Sequence, residues 1–134
     1  MQVKQIWANL AVEDTTRTEK FYSQLGFKPN SGKTTSEITS FIFGENNFVI
    51  HFFRKDKLAN ATYDITVDAN KGSEIIFSLS AKTKEEVDAW AANAKVAGGK
   101  IRKEAGRHED GYYYCVFADP DGHKFNVLLI EAGM

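Results

Sequence analysis

The side chains in this sequence best suited to chemistry near neutral pH are three histidines and one cysteine. His51 lies in Phe48-Val49-Ile50-His51-Phe52-Phe53. In that apolar setting it could act as a base or as a hydrogen-bond donor. The simpler reading is a histidine on a cavity wall with no chemical role unless a carboxylate partners it. His108-Glu109-Asp110 has the donor types of a metal cluster but stands in a polar stretch with no spaced partner cluster, so a solvated turn is expected. His123 follows Asp119-Pro120-Asp121-Gly122 and is expected to serve a hairpin. Cys115 reads as a buried strand thiol with nothing beside it in sequence to lower its pKa. Trp7, Phe53 and the run Tyr112-Tyr113-Tyr114 could wall an apolar pocket, or equally serve the core or a subunit contact. There is no phosphate-cradling glycine loop, nucleophile elbow or Cys-x-x-Cys pair.

Composition narrows the setting. With 134 residues the chain can build one domain with its own core. A net charge of −1 gives no reason to expect nucleic acid or an anionic membrane as partner. A lone cysteine fits a reducing compartment, no apolar run reaches membrane-spanning length, and the start of the chain lacks a signal-peptide core, so a soluble cytoplasmic protein is expected.

The elements that must position these residues follow from periodicity. The strands are expected over Gln5 to Val12, in two pieces between Lys28 and Gly44, and over Phe48 to Phe53, Glu74 to Ser80, Lys100 to Glu104, Tyr112 to Ala118, and the run after Gly122. A helix begins near Asp14, with capping-box spacing at Thr16 and Glu19, carries Thr18, Phe21, Tyr22 and Leu25 on one stripe, and stops at Gly26. A second begins at Thr83 with Glu86, carries Val87, Trp90, Ala91, Ala94 and Ala97, and stops at Gly98-Gly99. Residues 54–73 read as a long connection, with a short extra strand at Tyr63 to Val67. Residues 105–111 read as a polar loop. The chain therefore repeats one pattern of strand, helix and three strands: about 1–53, then a connection over about 54–73, then about 74–134. Each half has a clean apolar face and a mixed face. Ile6, Leu10, Ile50, Phe52, Phe77, Leu79, Phe125, Val127 and Leu129 are assigned to the core under the helices. Trp7, Asn9, Val49, His51, Phe53, Ile76, Ser78, Asn126 and Leu128 are assigned to the mixed faces, where they are expected to border one cavity.

The order Asn9-Leu10-Ala11-Val12-Glu13-Asp14, then Phe21-Tyr22-x-x-Leu25-Gly26-Phe27, resembles the first module of the vicinal oxygen chelate superfamily, which includes glyoxalase I, extradiol dioxygenases and bleomycin resistance proteins. Ala97-Gly98-Gly99-Lys100, Gly111, and Phe117-x-Asp119-Pro120-Asp121-Gly122-His123 resemble its second module. The nearest subgroup by these motifs is that of the predicted lactoylglutathione lyases. The resemblance implies an α+β fold of two tandem βαβββ modules forming a U-shaped mixed sheet with helices on the convex face. It also implies a homodimer.

Enzymes of this superfamily hold a divalent metal such as Zn, Ni or Mn with His, Glu or Gln from the first and last strand of each module. Carried onto this sequence, the resemblance puts those four positions at Trp7, His51, Ile76 and Asn126, with Glu74 replacing Ile76 if the register slips by two. An indole and an alkyl chain cannot ligate such a metal, and an amide is a weak neutral donor, so no metal cofactor is expected. The expected function is a metal-free protein that binds a small molecule against an aromatic concave surface, in the manner of bleomycin resistance proteins. The alternatives are a glyoxalase-type lyase or isomerase using His51 and Glu74, with or without a divalent metal, and an interaction module with no small ligand. Dioxygenase chemistry is disfavoured because iron needs two His and one carboxylate.

Overall fold

The computed structural model describes residues 1–134 and divides into two compact units, residues 1–67 and 68–134. The first runs β1 (Trp7–Val12), α1 (Thr15–Gln24), β2 (Lys28–Pro29), β3 (Ile38–Phe43), β4 (Phe48–Arg54) and α2 (Lys55–Thr62). The second runs β5 (Ile76–Ala81), α3 (Lys84–Val96), β6 (Lys100–Arg107), β7 (Tyr113–Ala118) and β8 (Lys124–Leu129). The βαβββ order expected from the sequence is present in both, as an α+β architecture with two four-stranded mixed sheets.

Both sheets follow one rule of pairing. The orders are β1-β4-β3-β2 and β5-β8-β7-β6. The first and last strands of each unit pair in parallel, and the remaining neighbours are antiparallel. Parallel neighbours cannot be joined by a tight turn, so the chain between them must cross over. In each unit a helix follows the first strand and covers one sheet face.

Local chemistry fixes both crossover helices. Asp14 caps α1, its carboxylate accepting from the backbone N–H of Thr16 at 2.9 Å and of Arg17 at 3.4 Å. The expected Thr16–Glu19 capping box does not form, because the helix already starts at Thr15; Glu19 instead accepts from the Thr34 hydroxyl. At α3 the box is present in shifted form. Thr83 Oγ1 accepts from Glu86 N at 3.1 Å, while the Glu86 carboxylate reaches back to Lys82 N at 2.6 Å. Both helices end in the same way. Gly26 (φ 89°) and Gly98 (φ 104°) take the left-handed position, and the next residue donates to the carbonyl of Tyr22 or Ala94.

The first core is aromatic. Phe21 and Tyr22 of α1 are buried against Phe41 and Phe43 of β3 and Ile50 and Phe52 of β4. Tyr22 stacks on Phe52 with ring centres 4.6 Å apart and meets Phe41, Phe43 and Phe27 within 6 Å. In the second unit Phe117, Phe125 and Val127 are fully buried with Val87 and Ala94 of α3. Phe117 and Phe125 stack at 5.4 Å, and Trp90 lies parallel to Phe117 at 6.4 Å.

Several expectations change. Ile6 is not core: it precedes β1 and is 77% exposed, so no ladder holds it against the helix. Leu10, Leu25, Phe77, Leu79 and Trp90 are half-buried rather than fully buried. Leu10, Phe77 and Leu79 sit on β1 and β5, the end strands of their sheets. The connection is partly helical: α2 forms over residues 55–62 and ends at Tyr63, which adopts a left-handed φ of 59°, so no strand forms over Tyr63 to Val67. It has no side-chain cap and no fully buried residue, and is tied to the unit by Lys55–Glu13 and Lys57–Glu37 ion pairs. That explains its weak apolar signature. Strand β6 runs to Arg107 through two register shifts, taking in residues expected to be loop.

The Asp119–Gly122 turn is built as its residue types require. The buried Asp119 carboxylate accepts from the N–H groups of Asp121 and His123, each at 2.9 Å. Gly122 sits at φ 94°, and a Cβ there would lie 2.6 Å from the backbone of Ala69 and Asn70. Asn70 Nδ2 donates to the Asp121 carbonyl at 3.2 Å, and the Lys124 ammonium donates to the Ala69 carbonyl. The end of the connection is thereby strapped to the turn.

Truncating the most enclosed ring should show how much the first core depends on it. Phe52 is fully buried and stacked on Tyr22. Phe52→Ala is expected to lower the unfolding free energy by about 3–5 kcal/mol, measured by urea titration at unchanged m-value.

Candidate functional site

Alternation sends the helix-covered residues to one side of each sheet and leaves a second set on the other. In the first unit that second set is Trp7, Asn9 and Ala11 on β1, Val49, His51 and Phe53 on β4, and Ile38, Ser40 and Ile42 on β3, in register as Trp7↔Val49, Asn9↔His51, Ala11↔Phe53 and Ser40↔His51. The five candidates of this unit therefore share one face. In the second unit Ile76 pairs with Lys124, Ser78 with Asn126, Ser80 with Leu128, and Val116 of β7 with Asn126, so Ile76, Ser78, Asn126 and Leu128 also share one face.

Register changes which residues stand side by side. The residue across from His51 on the parallel strand is Asn9, with Trp7 one pair further along beside Val49. Likewise Ser78, not Ile76, stands across from Asn126. The Ser78 hydroxyl donates to Asn126 Oδ1 at 2.5 Å. Each sheet therefore carries a polar group of residues at the middle of this face: Asn9, Ser40 and His51 in one, Ser78 and Asn126, flanked by Lys124 and Ser80, in the other.

Glu74 is not on this face of a strand. Strand β5 begins at Ile76, and Glu74 lies before it, exposed. The strand expected from Glu74 starts two residues late because no ladder partner reaches it. Glu74 consequently has no strand register from which to act as a ligand in place of Ile76.

His51 is the most developed candidate. It is half-buried, its Nδ1 is hydrogen-bonded to the Ser40 hydroxyl, and its ring meets Phe53 edge-on at 5.9 Å. Burial lowers its pKa below the ordinary histidine value, which favours the neutral ring. With Nδ1 engaged, Nε2 is the nitrogen left for a bound molecule. Ser40 is the functional neighbour that sequence reasoning missed. Its signal was the alternation of β3, where Thr39, Phe41 and Phe43 are buried and Ser40 is the one polar residue between Ile38 and Ile42 on the other side.

Two open pockets meet at His51. One, of about 780 Å³, is lined by Trp7, Phe48, Val49 and His51 with Lys4, Gln5, Asn30 and Asn47. The other, of about 670 Å³, is lined by Ser40 and His51 with Thr16, Glu19, Lys33 and Thr34. Trp7 is half exposed and presents its indole to the first.

The remaining chemical candidates are structural. His108 stacks edge-on against Tyr114 at 4.4 Å, its Nε2 lies 3.0 Å from the Tyr114 carbonyl, and its own carbonyl accepts from Gly111 N, closing a turn. Cys115 is fully buried, and burial pushes its thiol up to about 11. His123 donates its N–H to Asp119, within the hairpin. Tyr113 donates to Asp88 at 2.7 Å and lies beneath Lys84 and Arg107. A divalent metal needs three or four converging donors. The chain gathers no group of three or more His, Cys, Asp or Glu side chains. Of the four positions that the resemblance assigns to a metal, Trp7 and Ile76 carry no donor and Asn126 carries a weak neutral one, so these residue types do not fit a metal centre of the superfamily's kind.

Residues 4–127 match the family model described as the glyoxalase/bleomycin resistance protein/dioxygenase superfamily. The chain belongs to this superfamily. Among solved structures, a hypothetical protein from S. aureus superimposes with a TM-score of 0.84 at 28% identity, covering 97% of this chain and 96% of the other. A glyoxalase-related enzyme from Fulvimarina pelagi follows with a TM-score of 0.79 at 20% identity, covering 96% and 89%. A lactoylglutathione lyase from Agrobacterium tumefaciens gives 0.68 at 19%, covering 96% and 95%. The last two likenesses are of fold. No curated protein matches the chain. As a member of the superfamily, this chain has its two βαβββ units. No helix is long and apolar enough to cross a membrane.

The direction of the His51 shift makes a pH test. A histidine whose folded pKa lies below its unfolded one takes up its proton first in the unfolded chain. Its stability contribution is therefore present above about pH 6.5 and is lost as pH falls through the folded pKa. His51→Gln is expected to retain more of its melting temperature than wild type between pH 7.5 and 5. Equal slopes for the two proteins in differential scanning fluorimetry would contradict the assignment.

Proposed function

We propose that this member of the glyoxalase/bleomycin resistance protein/dioxygenase superfamily is a metal-free protein that binds a small molecule on the open sheet face around His51. One observation carries the reading: two pockets meet at His51, whose ring is held by the Ser40 hydroxyl, and the positions that the superfamily resemblance assigns to metal ligands carry Trp7, Ile76 and Asn126 as well as His51. Pockets of this size and mixed lining suit small ligands, with apolar walls supplying affinity and a few polar groups supplying orientation. A genomically encoded fosfomycin resistance protein from Listeria monocytogenes shares the fold, with a TM-score of 0.69 at 17% identity.

A second reading is favoured by the Ser40–His51 hydrogen bond. A neutral histidine held at Nδ1 with Nε2 available is equipped for proton transfer, as a lyase or isomerase of the glyoxalase sort would require. Under that reading His51→Gln abolishes turnover; under the binding reading it alters affinity alone.

Binding and metal content are tested together. Purified protein is expected to return far less than one equivalent of transition metal by elemental analysis, and EDTA is expected to leave its melting temperature unchanged. A thermal-shift screen of small aromatic and polar compounds is expected to yield stabilising ligands. About one metal per chain, with a chelator-induced drop of several degrees, would overturn the metal-free half.

We also propose that the protein pairs with a second copy. Ile6 before β1 and Ile75 and Ile76 at β5 are large apolar side chains left exposed beside end strands, which a second copy could cover. Light scattering at micromolar concentration is expected to give twice the chain mass of 15.0 kDa, and Ile76→Asp to shift it toward the single-chain value.

A further inference from the structure

Resting on the binding reading above, we propose that the pocket beside Trp7 takes a planar aromatic molecule bearing one anionic group. Its apolar walls include two flat aromatic side chains, the Trp7 indole and Phe48, with Ile6 and Val49 beside them. Trp7 is 52% exposed, so a large aromatic surface faces solvent, and a ring laid on it recovers burial and stacking that a puckered aliphatic ring matches less well. The polar lining comes from the neutral amides of Gln5, Asn30, Asn46 and Asn47, which can donate and accept hydrogen bonds alike. The charge is one-sided. Lys4 is the ionised side chain of this lining, no Asp or Glu contributes to it, and His51 is biased toward its neutral form. An anionic ligand meets an ammonium there, whereas a cationic one meets that ammonium with no carboxylate to offset it. The pocket on the other side of His51 differs, since Glu19 and Lys33 both line it and balance each other. The preference for a planar anion is thus a property of the Trp7 side alone.

Nuclear magnetic resonance on the full chain separates the components of this proposal, with the Trp7 indole Nε1–H as reporter. Trp90 lies parallel to Phe117 in the second unit, so Trp90→Phe assigns the Trp7 signal while keeping a ring in that place. Three simple probes are titrated: benzoate, cyclohexanecarboxylate and benzylammonium. Benzoate is expected to shift the Trp7 and His51 signals at the lowest concentration, and Lys4→Gln to weaken it by about two- to fivefold, the scale of one exposed charge pair. Trp7→Leu is expected to remove the difference between benzoate and cyclohexanecarboxylate. Equal binding of cyclohexanecarboxylate to wild type overturns the aromatic component, and tighter binding of benzylammonium overturns the anionic one; either result leaves the binding reading standing. If no probe moves Trp7 while a compound from the thermal-shift screen shifts His51 and the Ser40 side of it, this inference fails and the binding reading survives. If neither experiment yields a ligand, both fail.

Discussion

The parallel pairing of the first and last strand in each unit is the constraint on which the rest depends. It forces a crossover, and the helix after the first strand packs on one sheet face and claims that face for the core. It also makes the last strand an inner one, flanked on both sides. His51 and Asn126 stand on those inner strands, so each meets two cross-strand neighbours: Asn9 and Ser40 for His51, Ser78 and Val116 for Asn126. A side chain placed so is oriented by its neighbours before any ligand arrives, which lowers the ordering cost of binding.

The two faces obey separate physics. On the helix side, Tyr22 stacks on Phe52, Phe117 stacks on Phe125, and the strand residues between them are closed off from water. That packing holds whatever occupies the other side. A change of side chain at Trp7 or Ile76 on the open face therefore leaves those buried contacts in place. The open face of such a framework can vary in its side chains, because the buried aromatic packing lies on the opposite face of the same strands. Fold and chemistry are separable here to an unusual degree, and the superfamily assignment by itself does not decide the activity.

Alternation along each strand was legible because one face is buried and a one-residue slip would invert it. Phe125, Val127 and Leu129 against Asn126 and Leu128, or Ile50 and Phe52 against His51, could be sorted from their order alone. Helix ends were legible for the same local reason: Asp14, Thr83, Gly26 and Gly98 act on backbone groups within a few residues. Register between the parallel strands was not, because it is set by pairing between residues far apart in the chain, such as Asn9 with His51. Asn9 and His51 were assigned to one face without their being cross-strand neighbours, and Ser40 was missed. Helix α2 escaped because it buries nothing fully and has no side-chain cap, so neither periodicity nor capping announced it. Ile6 and Glu74 failed for one reason: both look like strand residues and lie just outside the ladder.

The Asp119–Gly122 turn shows how a local motif can carry a distant duty. Its residue types are explained by the hairpin: Pro120 in the bend, and Asp119 accepting two backbone N–H groups. Gly122 is needed twice over, for its positive φ and because the backbone of Ala69 and Asn70 passes where a side chain would be. Together with the Asn70 and Lys124 hydrogen bonds, this close approach anchors residues 69–70, the tail of the connection, to the start of β8. Lys124, which makes one of these bonds, lies two residues before Asn126 on the same strand. The segment at the start of the second unit and the strand carrying its central polar residue are thus held together by one turn.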